Sequence, residues 1–236
     1  MVVVSGRRLL LTDVKHKSVL LVDSQEGGVL STVSVPCAPY GMCMVDAARA
    51  AVALPDDKRL QYVHVNGDSL TLGKVVPMGG HVWGVNVLGD RLVVTYTEPP
   101  AVEVVTHRFD NKSADRELFE QPLYVTVSRD RVFVSDFIKN TITMLSDQLQ
   151  LLATFRQPDL LKWPRGIISL NDDQLLVCGW SHNIVLLQPS SGRMSAILER
   201  KDGVECPAAL AFCHHSRTLD ITPFFTTNSI KRYKLH

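Results

Sequence analysis

A nine-residue pattern with an apolar start, a polar middle and an apolar return recurs along the chain. Residues 134–142 read V-S-D-F-I-K-N-T-I, residues 177–185 V-C-G-W-S-H-N-I-V and residues 11–19 L-T-D-V-K-H-K-S-V. Weaker copies occupy 52–60 and 94–102, and a sixth, at 221–230, is one residue longer. The copies start at Leu11, Val52, Val94, Val134, Val177 and Ile221, so successive steps are 41, 42, 40, 43 and 44 residues. A fixed period near forty residues is the signature of a repeat architecture. A second marker precedes each of the last five copies. It reads Pro39-Tyr40-Gly41-Met42, Val82-Trp83-Gly84-Val85, Pro122-Leu123-Tyr124-Val125, Pro164-Arg165-Gly166-Ile167 and Pro207-Ala208-Ala209-Leu210. Proline and glycine here punctuate the entry to a strand, setting a turn and letting the backbone bend inward.

Each period holds four short β-rich pieces. In the unit opened by Pro164 they are predicted at Gly166–Leu170, Gln174–Cys178, Asn183–Leu187 and Met194–Leu198. Asn171-Asp172-Asp173 and Ser190-Ser191-Gly192 supply the turns. Four strands per unit and six units describe an all-β, six-bladed β-propeller. A β-sandwich also uses many short strands, but it has no reason to repeat Pro-x-Gly at a fixed phase. The first marker would fall near residue 0, which makes Val2–Val4 the remnant of the first inner strand. The chain stops after the third strand of the sixth unit. That blade therefore either borrows N-terminal residues as its outer strand or stays three-stranded. The expectation is one domain over residues 1–236, a C-terminal fragment of a longer protein.

Composition narrows the function. Of 236 residues, 45% are apolar and 21% charged, which suits a packed core and excludes a disordered tail. No stretch approaches 18 uninterrupted apolar residues, and the N-terminus lacks the basic and apolar regions of a signal peptide. With 25 basic against 24 acidic side chains, any binding to nucleic acid must come from local clustering of charge. Five cysteines without a CxxC fit buried thiols in a reducing, cytoplasmic setting. The sequon Asn111-Lys112-Ser113 matters only in a secreted protein.

Pro-x-Gly-apolar followed by V-x-D-x-x-x-N-x-I resembles the NHL repeat, clearest in Pro164–Ile167 and Val134–Ile142. The resemblance spans nearly the whole chain but is degenerate. Tyr124 and Ala209 replace the glycine, while Leu54, Tyr96, Gly179 and Pro223 replace the aspartate. The asparagine survives only as Asn140, Asn183 and Asn228. The whole sequence, with its ending Ser229-Ile230-Lys231-Arg232-Tyr233-Lys234-Leu235-His236, resembles the C-terminal propeller of tripartite-motif RING-type E3 ubiquitin ligases. The resemblance implies the recognition end of a ligase acting in innate antiviral immunity. Its RING, B-boxes and coiled coil would lie outside this chain. Related NHL propellers bind RNA across one face.

Catalysis finds little support. NHL-like lyases and lactone hydrolases place metal ligands in the central channel. The predicted inner strands here carry Met42-Cys43-Met44, Val85-Asn86-Val87, Val125-Thr126-Val127, Ile167-Ile168-Ser169 and Leu210-Ala211-Phe212, without His, Asp or Glu. Such a lining holds no hard cation and positions no general base, so neither cofactor nor metal is expected. Cys213-His214-His215 has ligand chemistry, but neighbours on a strand point to opposite faces. Asp172-Asp173 is explained by turn chemistry.

The loops between second and third strands should share a face with the links between blades. Those loops carry Lys15, Lys17, Lys58, Arg59, Lys139, Lys162, Arg165, Arg200 and Lys201, against Asp56, Asp57, Glu98, Glu120, Asp159, Asp202 and Glu205. The positive sector is expected from the fifth blade through the sixth to the first. Tyr40 and Trp83 occupy the x of the marker, at the channel rim beside Arg165, with Phe137, Trp163 and Trp180 in adjoining loops. Cations beside stacking planes are what single-stranded RNA recognition requires. Aromatics also fill gaps between blades. The opposite face collects Arg7, Arg8, Arg91, Arg129, Arg131, Arg193 and Arg217. There Arg129-Asp130-Arg131 reads as a turn with its own ion pair, and Lys231, Arg232 and Lys234 read as an exposed outer strand.

Two functions follow from these features. One is a non-catalytic RNA-binding module using Lys15, Lys17, Tyr40, Trp83, Lys139, Lys162, Arg165, Arg200 and Lys201. The other is a protein-interaction platform that selects ubiquitination substrates or signalling partners, since interface cores also favour Tyr, Trp and Arg. Either way the isolated domain is expected to be monomeric and to make no contact with membrane.

Overall fold

The computed structural model describes residues 1–5, 7–105, 112–224 and 229–235, with Ser5 as backbone only. The sequon asparagine Asn111 and the repeat asparagine Asn228 lie outside the described residues. Six antiparallel sheets follow one another. Blade 1 comprises β1 (Val2–Ser5), β2 (Arg8–Asp13), β3 (Ser18–Asp23) and β4 (Val29–Ser34). Blade 2 has β5 (Met42–Asp46), β6 (Arg49–Leu54), β7 (Arg59–Asn66) and β8 (Ser69–Pro77). Blade 3 has β9 (Val82–Leu88), β10 (Arg91–Thr97), β11 (Pro100–Val105) and the two-residue β12 (Lys112–Ser113). Blade 4 has β13 (Pro122–Ser128), β14 (Arg131–Asp136), β15 (Thr141–Ser146) and β16 (Leu151–Phe155). Blade 5 has β17 (Pro164–Asn171), β18 (Gln174–Gly179), β19 (Ile184–Gln188) and β20 (Arg193–Leu198). Blade 6 has β21 (Pro207–Cys213), β22 (Thr218–Pro223) and β23 (Lys231–Lys234). The inner strands pack side by side in ring order, and β21 returns to β1. This is the six-bladed propeller that the period predicts, and the recurring window is the hairpin between second and third strands. Of the two closures considered, N-terminal residues do not complete the last blade, because β1 is the inner strand of blade 1; among the described residues the last blade has three strands.

A blade between two neighbours buries both of its faces, so its middle strands read as continuous apolar runs rather than alternations. In β6 every residue from Ala50 to Leu54 is buried, and in β14 every residue from Val132 to Asp136. Phe133, Ile142, Leu161, Leu175 and Val185 interlock in one cluster spanning blades 4 and 5. Each large side chain buried this way contributes about 1.5–3 kcal/mol.

The glycine of the marker has a specific cause. A Cβ on Gly41, Gly84 or Gly166 would lie 2.4 Å from Trp83 O, 2.5 Å from Leu123 O or 2.9 Å from Ala208 O, each on the next inner strand. Close approach of neighbouring blades, more than an inward bend, excludes a side chain. Buried hydroxyls tie the same junctions. Thr95 Oγ1 accepts from Gly84 N at 2.8 Å and donates to Leu123 O at 2.7 Å. Ser135 Oγ accepts from Tyr124 N at 3.2 Å and donates to Arg165 O at 2.8 Å.

Ring closure rests on side chains. Arg232 donates from Nε and Nη2 to the two oxygens of Asp220, at 2.7 and 3.0 Å, and from Nη1 to Ser24 O of blade 1. Leu9, Val22 and Ala211 pack beneath, with Val3, Leu20 and Ile230. Two expectations change here. Lys231, Arg232 and Lys234 do lie on an outer strand, β23, with Arg232 and Lys234 exposed, but Arg232 is also a structural clamp, and Lys231 Nζ is engaged on Gly203 O at 2.6 Å. Arg129 pairs with Asp172 of the next blade, not within its own turn.

Candidate functional site

The second-to-third-strand turns and the inter-blade links meet on one face. Val35 N donates to Lys17 O at 2.8 Å, Met78 N to Lys58 O at 2.8 Å, Phe137 N to Gln121 O at 3.0 Å and Trp180 N to Lys162 O at 2.9 Å. The polar residues of the repeat build this face. The carboxylate of Asp136, fully buried, accepts from the backbone of Glu120 at 2.7 Å, Ile138 at 3.1 Å and Lys139 at 2.9 Å, pinning turn to link. Four residues further along the repeat the backbone turns left-handed, at Lys17 (φ 50°), Lys58 (φ 49°) and Asn140 (φ 56°). Asparagine tolerates that conformation better than most residues, which suits Asn140; in blade 5 the left-handed residue is instead His182 (φ 56°), and Asn183 donates to Leu160 O at 2.7 Å.

Asn140 does more than turn the chain. Its Oδ1 accepts from Trp163 N at 2.6 Å, and Trp163 itself is left-handed at φ 48° and 44% exposed. A bulky residue held there costs about 1–3 kcal/mol, and such strain concentrates at functional sites. Trp163 packs edge-on against Trp180 at 5.3 Å and lies 6.3 Å from Phe137. The expectation that these three rings plug gaps between blades therefore holds for the half-buried Phe137 and Trp180 but not for Trp163.

Arg165 stands at the centre of the cluster. It is 8% exposed, and its guanidinium carbon lies 3.8 Å from the Phe224 ring centre, 5.1 Å from Phe137 and 5.8 Å from Trp180. These rings come from the fourth position of the repeat in blades 4, 5 and 6, a signal present in the sequence. Phe224 was missed. Among the described residues Arg165 has no carboxylate partner, its enclosed Nε has no acceptor, and its other nitrogens donate no hydrogen bond. Burial lowers its pKa. Ring faces compensate such a cation only in part. Tyr40 and Trp83 stack at 3.9 Å between centres, tilted by 32°. Tyr40 and Tyr124 both lie within electrostatic reach of Arg165, and burial pushes the Tyr124 phenol up to about 12.

The remaining predicted cations divide into two groups. Lys15, Lys17, Lys162 and Arg200 are exposed and enter no ion pair among the described residues. Lys139 Nζ is held by Glu117 O at 2.7 Å, and Lys201 pairs with Glu199 at 2.6 Å, which raises its pKa. Arg200 and Lys201 lie on a single 3-10 turn, Arg200–Asp202, before blade 6. The structure thus joins Arg165 to an aromatic cluster and Tyr40 to Trp83, and leaves Lys15, Lys17 and Lys162 exposed in the turns and links.

The channel beneath encloses about 270 Å³, lined by Met42, Cys43, Met44, Val85, Val125, Ile167, Ile168 and Leu210. Its one amide, Asn86, donates to Val125 O at 3.3 Å. No trio of His, Cys, Asp or Glu able to hold a metal occurs among the described residues. At the end of β21, His214 leans edge-on against Phe212 at 5.0 Å. Of the cysteines, Cys37, Cys43 and Cys178 are buried, as expected, while Cys206 and Cys213 are half-buried. No helix among the described residues is long and apolar enough to cross a membrane.

The chain resembles several solved propellers. Virginiamycin B lyase from Staphylococcus aureus, solved with quinupristin, superposes with a TM-score of 0.70 at 14% identity, over 96% of this chain and 80% of that one. A protein of unknown function from Bacteroides caccae gives 0.72 at 14% identity, over 92% and 82%. The Swd1 propeller domain of Myceliophteria thermophila gives 0.68 at 14% identity, over 98% and 81%. No family model and no curated protein matches the sequence. At these identities the likeness shows the fold. The chain is a six-bladed β-propeller. Streptogramin B lyase superposes with a TM-score of 0.69 at 16% identity.

Proposed function

We propose that this propeller is the RNA-binding recognition domain of a tripartite-motif RING-type E3 ubiquitin ligase acting in innate antiviral immunity in the cytoplasm. The domain itself is non-catalytic, and ubiquitin transfer belongs to a part of the parent outside this chain. The NHL-like residues Val134–Ile142 and Pro164–Ile167 support the family. The observation that carries RNA binding is the strained, exposed Trp163 beside a buried Arg165 with no carboxylate partner among the described residues. Lys15, Lys17, Lys162 and Arg200 neutralise phosphates, while Trp163, Tyr40 and Trp83 offer planes on which bases stack, each worth about 1–3 kcal/mol. A second reading, a platform for protein partners, draws on the exposed pair Ile138 (51%) and Trp163 (44%), because apolar and aromatic anchors also centre protein interfaces.

Fluorescence anisotropy of the domain with a short single-stranded RNA at two salt concentrations separates the two. RNA binding predicts affinity that falls steeply with salt, and a K162A/R200A variant whose log–log slope is shallower by about 0.7 per lost contact. Flat anisotropy at low salt overturns the RNA reading and leaves the protein platform.

A further inference from the structure

The charge balance around Arg165 is specific enough to say what part of an RNA it takes. A guanidinium withdrawn from water normally needs a carboxylate or a full set of acceptors. Here Phe224 covers its face at 3.8 Å, Phe137 and Trp180 wall it at 5.1 and 5.8 Å, and no acid among the described residues answers the charge. The Nε is enclosed without an acceptor. The terminal nitrogens are bonded to nothing among the described residues, yet they are not enclosed. What remains open is the fork edge of a recessed cation, the edge that grips a phosphate with two parallel hydrogen bonds.

Depth decides which phosphate can reach it. An internal phosphodiester carries one negative charge and is flanked by two riboses. Lowering its oxygens to a residue that is 8% exposed would press both sugars into the Trp163 and Phe224 rim. A terminal phosphomonoester hangs on one tether and carries about −1.5 to −2 charges at pH 7. It enters where the diester cannot, and its charge balances the buried cation. Trp163, fixed by Asn140 and 44% exposed beside this opening, then faces the last base.

We propose that the Arg165 site takes the phosphorylated end of a single-stranded RNA, with the terminal phosphomonoester on the guanidinium and the end base against Trp163. This rests on the RNA reading above and specifies the part of the molecule that is read. The test is anisotropy with one internally labelled oligoribonucleotide in three forms: 5′-phosphate, 3′-phosphate, and hydroxyl at both ends. One phosphorylated form should bind about tenfold tighter than the hydroxyl-ended RNA. That preference should vanish in R165Q, so that the phosphorylated and hydroxyl-ended forms bind this variant alike. It should also shrink in the unsubstituted domain below about pH 6, where the monoester loses its second charge. Should R165Q fail to fold, competition in the unsubstituted domain serves. A nucleoside monophosphate should displace the phosphorylated RNA at concentrations where the nucleoside does not. Equal binding of all three forms overturns end recognition while the RNA reading stands, and a preference that survives R165Q overturns the assignment to Arg165. Binding of none overturns both.

Discussion

Replacing Arg232 by Met tests how this ring closes. Blade 6 meets blade 1 through β21 and β1, and among the described residues β23 pairs with β22 alone. The Asp220 side chain is 2% exposed, both its oxygens are bound by Arg232, and Arg232 also reaches Ser24 O across the junction. R232M keeps much of the side-chain volume and removes the charge, stranding a carboxylate between blades. Breaking a buried pair from one side costs about 3–5 kcal/mol. Because Arg232 is 32% exposed, water relieves part of that, and the lower end, about 3 kcal/mol, is expected. For a domain of this size that is a fall in Tm of about 6–12 °C. The exposed pair Arg7–Asp23, 3.5 Å apart with Arg7 at 54% exposure, is the control, and R7M should change stability by less than about 0.5 kcal/mol. The double variant R232M/D220N should recover part of the loss, since no buried charge is then left alone. Thermal and urea unfolding followed by circular dichroism give both numbers. If R232M melts with R7M, or the double variant is no better than R232M, the clamp does not close the ring.

Other consequences are as direct. T95V, nearly isosteric, strands Gly84 N and Leu123 O at a buried junction and should cost about 1–3 kcal/mol in urea unfolding. G84A should destabilise, because its Cβ would meet Leu123 O at 2.5 Å and the Thr95 hydroxyl at 2.8 Å, whereas G67A, with open space but φ 61°, should show only the milder cost of a left-handed alanine. Burial pushes the Cys43 and Cys178 thiols up to about 12, so brief maleimide treatment near pH 8, read by mass spectrometry, should label Cys206 and Cys213 first. On the acid side, turn N–H groups hold Asp23 and Asp46 below the usual 3.8, and the Ser190 hydroxyl and N–H do so for Asp173. A depressed carboxylate stabilises the fold above 3.8 and ceases to as pH falls through its folded value. Urea midpoints should therefore drop below about pH 4, and a D23N/D46N/D173N variant should show a flatter dependence.

The repeat was legible because the physical cause of each marker is local or recurs in every blade. The Asp136 carboxylate pins its own turn, Asn140 suits a left-handed residue, and Gly84 and Gly166 make room for the next inner strand. Those demands return every forty residues, so they appear in the sequence as a period. The channel lining of Met42, Met44, Val85 and Ile167 was legible for the same reason. What was hidden involves pairs from different blades. Thr95 with Leu123 and Ser135 with Arg165 are ordinary polar residues in a strand until the neighbour is placed.

By itself, then, the sequence determined a six-unit β architecture, its hairpin phase, its apolar channel and the face that carries the loops. Tertiary structure alone decided that Phe137, Trp180 and Phe224 converge on one arginine, since they lie in three different hairpins. It also decided that Lys139 and Lys201 are engaged while Lys15, Lys17, Lys162 and Arg200 stay exposed, and that Arg232 spans the last junction. The division has one physical reason. A strand or turn is set by the nearest few residues, whereas burial of a charge depends on which distant residues arrive to answer it.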